Sequence, residues 1–247
     1  MNQLTGKTAV ITGGSSGIGL ATAVLFRDEG ARVVVAGRDQ AALDRATALL
    51  GANALGVPCD VGKPDDIKCL MDRAAEWTGG IDIVFANAGM SECPDIFDTP
   101  EGFFDTLMDT NVKGVFYTFV HAFPHLREGA SVVLTSSVAH SRGHPGDPLY
   151  SATKAAVRSL ARTLAADDRT LAKRVRVNTM SPGAIRTPLT AAATDDAAVS
   201  EWVAGQVPMG RWGEAEEVAR GVLFLASSAS SYMTGGEIAV DGGLGQI

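Results

Sequence analysis

The sequence predicts a doubly wound α/β fold, a mostly parallel sheet with helices on both faces, and three observations carry that reading. Short apolar, β-branched runs alternate with longer helical patterns from one end of the 247-residue chain to the other. Runs such as VVVA and IDIVFA are apolar on both faces, as strands covered by helices on each side are. Glycines gather where such runs end, and strand–helix alternation with right-handed crossovers builds a doubly wound sheet.

Lys7–Thr12 (KTAVIT) reads as the first strand and Ser16–Glu29 as the helix after it. Ala31–Ala36 (ARVVVA) is the second strand and Asp39–Leu50 the second helix. Asp39 is its N-cap, because Gln40-Ala41-Ala42-Leu43 follows directly. Ala54–Pro58 is a weaker third strand, and a helix begins near Pro64, whose fixed φ suits a first helical turn. Ile81–Phe85, Ser131–Thr135 and Val175–Met180 are further strands, and Ile238–Val240 is a short last one. No linker, repeat or low-complexity tract breaks the rhythm. The expectation is a single domain over residues 1–247, with Pro188–Arg211 as its longest insertion.

Composition narrows the classes. Apolar residues make up 46% of the chain, enough to offset the ordering entropy of a folded domain. The net charge is −7, which argues against a nucleic-acid binder, whose affinity rests on a basic face. Cys59, Cys69 and Cys93 show no CxxC spacing, so neither a disulfide framework nor a zinc ribbon is expected. MNQLTGKTAV lacks the charged and apolar regions of a signal peptide, and serines and glycines interrupt Gly221–Gly236, a poor membrane span. These features together predict a soluble, reduced, cytoplasmic protein.

Ligands on such sheets bind outside the carboxyl ends of the strands, so the strand ends hold the chemistry. The first strand ends in Thr12-Gly13-Gly14-Ser15-Ser16-Gly17-Ile18-Gly19, followed by a helix. Glycines there let the backbone approach a pyrophosphate, and the helix offers unpaired N–H groups at its positive end. Ala36-Gly37-Arg38-Asp39 ends the second strand. Arg38 offers a fork for the 2′-phosphate of NADP, with no acid at the tip to repel it. The rival reading has Arg38 stacking on adenine and Asp39 binding the ribose of NAD. Asp60-Val61 follows the third strand; Asp60 either accepts from an adenine amino group or is a loop aspartate. Asn87-Ala88-Gly89 ends the fourth strand with small residues that would let a flat ligand approach.

Tyr150-Ser151-Ala152-Thr153-Lys154 places a tyrosine and a lysine at i,i+4, on one helix face. A nearby ammonium favours phenolate, which suits a general acid or base near neutral pH. Ser136-Ser137 lies just upstream, at the end of the fifth strand, where a hydroxyl could polarise the same oxygen. His140 and His144 are four apart, but Gly143 and Pro145 make a loop there, no HExxH is present, and no metal site is expected. The two histidines either line a pocket between Ser137 and Tyr150 or are ordinary loop residues. Trp202, Val203, Val207 and Met209 in the insertion form either an apolar lid or helix packing.

Along essentially its whole length the chain resembles a classical short-chain dehydrogenase/reductase (SDR), a Rossmann-fold oxidoreductase. The matching elements, in the family's order and spacing, are Thr12–Gly19, Asp60-Val61, Asn87-Ala88-Gly89, Asn111, Ser137, Tyr150, Lys154 and Pro182-Gly183. The resemblance implies an Asn111-Ser137-Tyr150-Lys154 tetrad, with Ser137 preferred to Ser136 because it stands 13 residues before Tyr150. It implies hydride transfer between a nicotinamide and a small carbonyl or secondary-alcohol substrate. Tyr150 would be the general acid/base, Ser137 would hydrogen-bond the substrate oxygen, Lys154 would hold the nicotinamide ribose, and Asn111 would order a relay water. Gly13, Ser15, Ser16, Gly17, Ile18, Gly19, Arg38, Asp60, Val61, Asn87, Ala88, Gly89, Tyr150 and Lys154 would line the cofactor site. Pro182, Gly183, Ile185 and Thr187 would complete it, with Thr187 and the Ile185 backbone on the carboxamide, and residues 188–211 would lie on the substrate side.

The expected cofactor is NADP(H) in preference to NAD(H), with no nucleic-acid or membrane partner. A homotetramer is expected through the Gly235–Gly243 tail. Two rival functions stand beside this one. A 3-oxoacyl-[acyl-carrier-protein] reductase would need a basic docking face, for which Arg127, Arg169, Lys173 and Arg174 could cluster near the pocket rim. A dinucleotide-sensing regulator without turnover is disfavoured by the intact tetrad.

Overall fold

The computed structural model describes residues 2–92, 94–143 and 148–247. Strands β1 (Thr8–Thr12), β2 (Arg32–Gly37), β3 (Ala54–Pro58), β4 (Ile81–Ala86), β5 (Leu126–Thr135) and β6 (Arg176–Pro182) form the main sheet. Two short strands, β7 (Ile185–Arg186) and β8 (Gly213–Glu214), stand apart as a pair, and β9 (Glu237–Val240) returns to the main sheet. The main sheet is parallel throughout, in the order β3-β2-β1-β4-β5-β6-β9. The order reverses beside β1, so β1 and β4 diverge to opposite sides and open a crevice at their carboxyl ends.

The helices α1 (Gly17–Asp28), α2 (Gln40–Leu50), α3 (Pro64–Thr78), α4 (Glu101–Met108), α5 (Gly114–Ala122) and α6 (Pro148–Ala166) connect the strands. They are followed by α7 (Asp168–Ala172), α8 (Ala191–Asp195), α9 (Ala197–Gln206) and α10 (Ala215–Ala226). The helices cover two faces. Val10, Val34, Val84 and Val132 point to one core with α3, α5 and α6; Ile11, Val33, Val35 and Phe85 point to the other with α1 and α10. Alternate residues of one strand thus enter different cores, which is why these strands read as unbroken apolar runs.

The sequence-read strands and first helices all form, and Asp39 caps α2 as expected, its carboxylate accepting from Ala42 N at 3.2 Å. Strand β5 begins five residues earlier than the apolar run Ser131–Thr135, because Leu126 still pairs with Ile81 across an irregular register. The β7–β8 pair draws the two ends of the 188–211 segment together. No helix among the described residues is long and apolar enough to cross a membrane.

Candidate active site

The turn after β1 is built for close approach. Gly13 and Gly17 take φ of +64° and +51°, the left-handed region that favours glycine. A Cβ on Gly19 would lie 2.1 Å from the carbonyl oxygen of Gly13, so only hydrogen fits between helix and turn. Ser16 stands at the N-cap of α1 without a side-chain capping bond, and the first turn carries no acid. The positive end of a 12-residue helix is therefore left for an anion. Ser15, beside it, approaches Gly37, whose Cβ would lie 3.0 Å from Ser15 Oγ.

The neighbouring strand end is clamped to this turn. Thr12 Oγ1 accepts from the backbone N–H groups of Asn87 and Ala88 at 3.0 and 3.1 Å. The Asn87 amide donates back to the Thr12 and Gly13 carbonyls at 3.1 and 3.3 Å. Farther along, Arg38 is exposed and makes no hydrogen bond or ion pair among the described residues. One Asp60 oxygen accepts from Gly62 N at 3.0 Å. Val61 lies against α5, where a Cβ on Gly114 would sit 2.8 Å from its carbonyl oxygen. Gly13 through Gly19, Arg38, Asp60, Val61, Asn87, Ala88 and Gly89 thus run along the carboxyl ends of four adjacent strands, a cradle that fits an extended dinucleotide.

The reactive groups meet at the ends of β4 and β5. Lys154 Nζ is buried, donates to Thr135 O at 3.0 Å and lies 5.5 Å from the centre of the Tyr150 ring. Burial pushes its pKa down to about 8. Ser136 Oγ is committed to the Lys154 carbonyl at 2.9 Å. Ser137 instead caps the turn Val138–His140, accepting from Ala139 N at 3.2 Å, and lines the cavity with Tyr150. Asn111 lies in a π-helical turn, Asp109–Lys113, between α4 and α5. Its Oδ1 accepts from Met90 N at 2.9 Å, and its Nδ2 donates to Met90 O at 2.9 Å and Thr153 Oγ1 at 3.2 Å. The Asn111 side chain therefore braces the loop after β4 against α6. A Cβ on Gly89 would lie 3.2 Å from Asn111 Oδ1 and 3.5 Å from Lys154 Nζ, so the smallest residue stands where the two converge.

A cavity of about 350 Å³ gathers Ile18, Asn87, Gly89, Ser137, Tyr150, Lys154, Pro182, Gly183, Ile185 and Thr187. Thr187 also closes on the glycine turn, since a Cβ on Gly17 would lie 3.3 Å from the Thr187 Cβ. Gly183 is pressed onto the tail after β9, where its Cβ would meet Asp241 Cα at 2.7 Å. Trp202 and Val203 of α9 line the cavity as a lid would, whereas Val207 packs beneath Gly242 and Met209 is exposed. The sequence reading passed over Met90, Arg142, Gln206 and Leu244, which share this lining. Position was the available signal for Arg142, which lies in the loop between Ser137 and Tyr150.

Two expectations require correction. Arg127, Arg169, Lys173 and Arg174 do not approach the pocket rim. They precede or begin β5 and β6, and the pocket lies at the far ends of these strands, roughly 25 Å away at about 3.3 Å per residue. Each is also engaged there: Arg127 by Asp82, Arg169 by Asp167, Lys173 by the Phe123 carbonyl and Arg174 by Glu128. His140 points away from the cavity and pairs with Glu237 on β9 at 2.6 Å. His144 and Cys93 lie outside the described residues.

The buried Lys154 makes a testable statement about stability. Below pH 8 its ammonium is charged in both folded and unfolded chains, and the folded state bears the burial cost. Between pH 8 and the ordinary lysine value of 10.5 the unfolded chain holds the extra proton, so the parent's stability rises with pH. Lys154→Met should therefore gain stability relative to the parent near pH 7 and lose most of that advantage towards pH 10.5. Paired urea titrations of the cofactor-free proteins across this range measure it, and a pH-independent difference would contradict it.

Comparison with known proteins agrees with this geometry. A family model described as enoyl-(acyl carrier protein) reductase matches residues 13–245. An oxidoreductase from Sarocladium schorii is 41% identical over 249 residues, covering 100% of this chain and 99% of the relative. A 3-oxoacyl-[acyl-carrier-protein] reductase from Thermotoga maritima is 36% identical, covering 98% of this chain and 99% of its own length. Among solved structures, the Pseudomonas aeruginosa RhlG/NADP active-site complex superposes with a TM-score of 0.93 at 31% identity, over 99% of this chain and 98% of that one. With a glycine cradle, a buried lysine–tyrosine pair and full-length relatives of this kind, the chain belongs to the short-chain dehydrogenase/reductase family and is an NAD(P)(H)-dependent oxidoreductase.

Proposed function

We propose that the chain interconverts a small carbonyl compound and its secondary alcohol, with Tyr150 as general acid/base and NADP(H) as the preferred cofactor. The observation that carries this reading is the convergence of Ser137, Tyr150 and Lys154 on one cavity, with the Ser136 hydroxyl, also in the lining, engaged by the Lys154 carbonyl. When bound, the nicotinamide supplies or accepts the hydride. Tyr150 gives a proton to the carbonyl oxygen in reduction and takes one from the alcohol in oxidation. The Lys154 ammonium beside its ring favours the phenolate. Ser137 Oγ hydrogen-bonds the same oxygen as charge develops there. Asn111 acts as a brace, since Met90 and Thr153 occupy its amide; a relay water would be held by the main chain of the π-turn, where the regular hydrogen-bond ladder is interrupted.

The residues of the cradle would hold the cofactor as follows. The N–H groups at Ser16–Gly19 would hold its pyrophosphate, Asp60 its adenine amino group, Lys154 its ribose, and Thr187 with the Ile185 backbone its carboxamide. Arg38 would take the 2′-phosphate, a role supported by its free guanidinium and by the engagement of Asp39 as a helix cap. The 3-oxoacyl-[acyl-carrier-protein] reductase reading is supported by the Thermotoga relative, but the basic residues expected to dock the carrier lie at the wrong end of the sheet. A cytoplasmic location fits the free thiols of Cys59 and Cys69.

Tyr150→Phe removes only the phenolic proton, so turnover should vanish while NADPH still binds, as read by cofactor fluorescence. Ser137→Ala should lower kcat about 10²–10³-fold, the usual worth of one oxyanion donor. Near-parental kcat in either variant removes that residue from the mechanism.

Arg38→Ala should lower kcat/KM for NADPH about 30-fold, the loss of one charge-assisted contact, and leave NADH little affected. Initial rates with both cofactors decide this. A parent enzyme that already prefers NADH would overturn the 2′-phosphate assignment.

A homotetramer is supported by β9, which pairs on one side only, and by Phe104, Phe116 and Val120, left exposed on α4 and α5. Light scattering at micromolar concentration should give four subunits, and a monomer would reject it.

A further inference from the structure

We infer that the substrate carries a carboxylate, or an equivalent acidic group, on an apolar body, and that Arg142 reads it; this rests on the carbonyl–alcohol reading above. Arg142 lies five residues beyond Ser137, is half-buried and faces the same cavity. A guanidinium carries five N–H donors, and here one nitrogen, Nη1, donates to the Leu244 carbonyl at 3.0 Å. No carboxylate pairs with it among the described residues. Other arginines, such as Arg38 and Arg176, also hold no acid among the described residues, but Arg142 is the one that lines the cavity with Ser137 and Tyr150.

Among the described residues the cavity lining includes no aspartate or glutamate, and its charged groups are Lys154, which faces Tyr150, and Arg142. Removing an unpaired guanidinium from water is costly, and an arriving carboxylate offsets that cost with a two-pronged, charge-assisted contact. The fork is also held in place before the ligand arrives. Asp241 accepts from Gly243 N and Gly245 N, fixing the tail that presents the Leu244 carbonyl. A Cβ on Gly245 would lie 3.0 Å from the Val138 Cβ, so this tail rests on the turn capped by Ser137. In the same cavity, Val138, Leu189, Trp202 and Val203 give an apolar lining suited to a ring. A keto or hydroxy acid with a cyclic body matches both features, with its carbonyl at Tyr150 and its acid at Arg142.

The test uses 3- and 4-acetylbenzoate, their methyl esters and neutral acetophenone, with NADPH, on the parent, Arg142→Gln and Arg142→Lys. The parent should favour at least one acid over its ester. Arg142→Gln should lower the acid-to-ester ratio of kcat/KM about 30-fold, chiefly through KM, and Arg142→Lys should restore part of it. Benzoate should raise the melting temperature of the parent–NADP⁺ complex and leave that of the Arg142→Gln complex unmoved. Equal losses on acid and ester would make Arg142 a tail clasp only and overturn the inference, as would a parent that prefers both esters. Reduction of acetophenone in that case leaves the reductase reading standing. If no ketone is reduced, the reductase reading fails, and an absent benzoate shift then removes Arg142 as an acid reader as well.

Discussion

One buried ammonium organises the carboxyl end of this sheet. Lys154 Nζ belongs to a buried side chain at the floor of the cavity and meets the last carbonyl of β5. Such a group is expensive to bury, and its depressed pKa records the cost. The structure around it follows from that expense. At Gly89 a Cβ would press on Asn111 Oδ1 and touch Lys154 Nζ, so a small residue suits the place where the two converge. Ser136 spends its hydroxyl on the backbone carbonyl of Lys154, which fixes the helix start against β5 and leaves Ser137 as the hydroxyl that faces the cavity. Thr153, next in the chain, receives the Asn111 amide and ties α6 to the π-turn. A charge that destabilises the empty fold is thus held by a frame of uncharged groups, in the position where it can act on Tyr150.

A second charged cluster sets the position of that frame from behind. Glu237 on β9 accepts from Ser181 of β6 and from Arg158 of α6, and pairs with His140 of the turn that Ser137 caps. Burial works to raise the Glu237 carboxyl, and the bonds from Ser181, His140 and Arg158 together hold it below the usual carboxylate range. Four elements meet on this one side chain. The short edge strand, with only four residues in the sheet, is thereby tied to the helix of Tyr150 and Lys154 and to the turn of Ser137. Removal of Glu237 would leave Arg158 buried without its acid, a much larger perturbation than loss of an exposed ion pair.

What the sequence made legible were the features set by local pattern. Apolar runs on both faces marked β1, β2 and β4, because each strand enters two cores. The spacing of Tyr150 and Lys154 marked a shared helix face, and Asp39 before Gln40-Ala41-Ala42 marked a cap. Features set by long-range pairing stayed hidden. The β7–β8 pair joins segments of two residues each, too short for any periodicity to show. The π-turn at Asn111 arises where the helix accommodates the Met90 backbone, 21 residues away in sequence. Arg127 and Arg174 looked available for a partner because the acids that hold them, Asp82 and Glu128, cannot be assigned by inspection of charge alone. His140 looked like a pocket residue for the same reason, its partner lying 97 residues on.

The division between legible and hidden follows the division of labour in the site. The groups proposed to handle the cofactor and the proton sit on strand ends and on the opening turns of long helices, where the sheet fixes them and where close approach restricts residue type. Gly19 against Gly13 leaves no choice of side chain, and Gly89 against Asn111 leaves little room for one. The rest of the cavity wall is built from the turn after Ser137, from α9 and from the tail after β9, where many residue types satisfy the backbone. In those places identity is free to be set by the ligand. Arg142 holds no acid among the described residues, and it lines a cavity whose described wall carries no carboxylate. The Leu244 carbonyl it holds could be satisfied by a neutral donor, and the remaining guanidinium N–H groups are those that the proposed acid would meet.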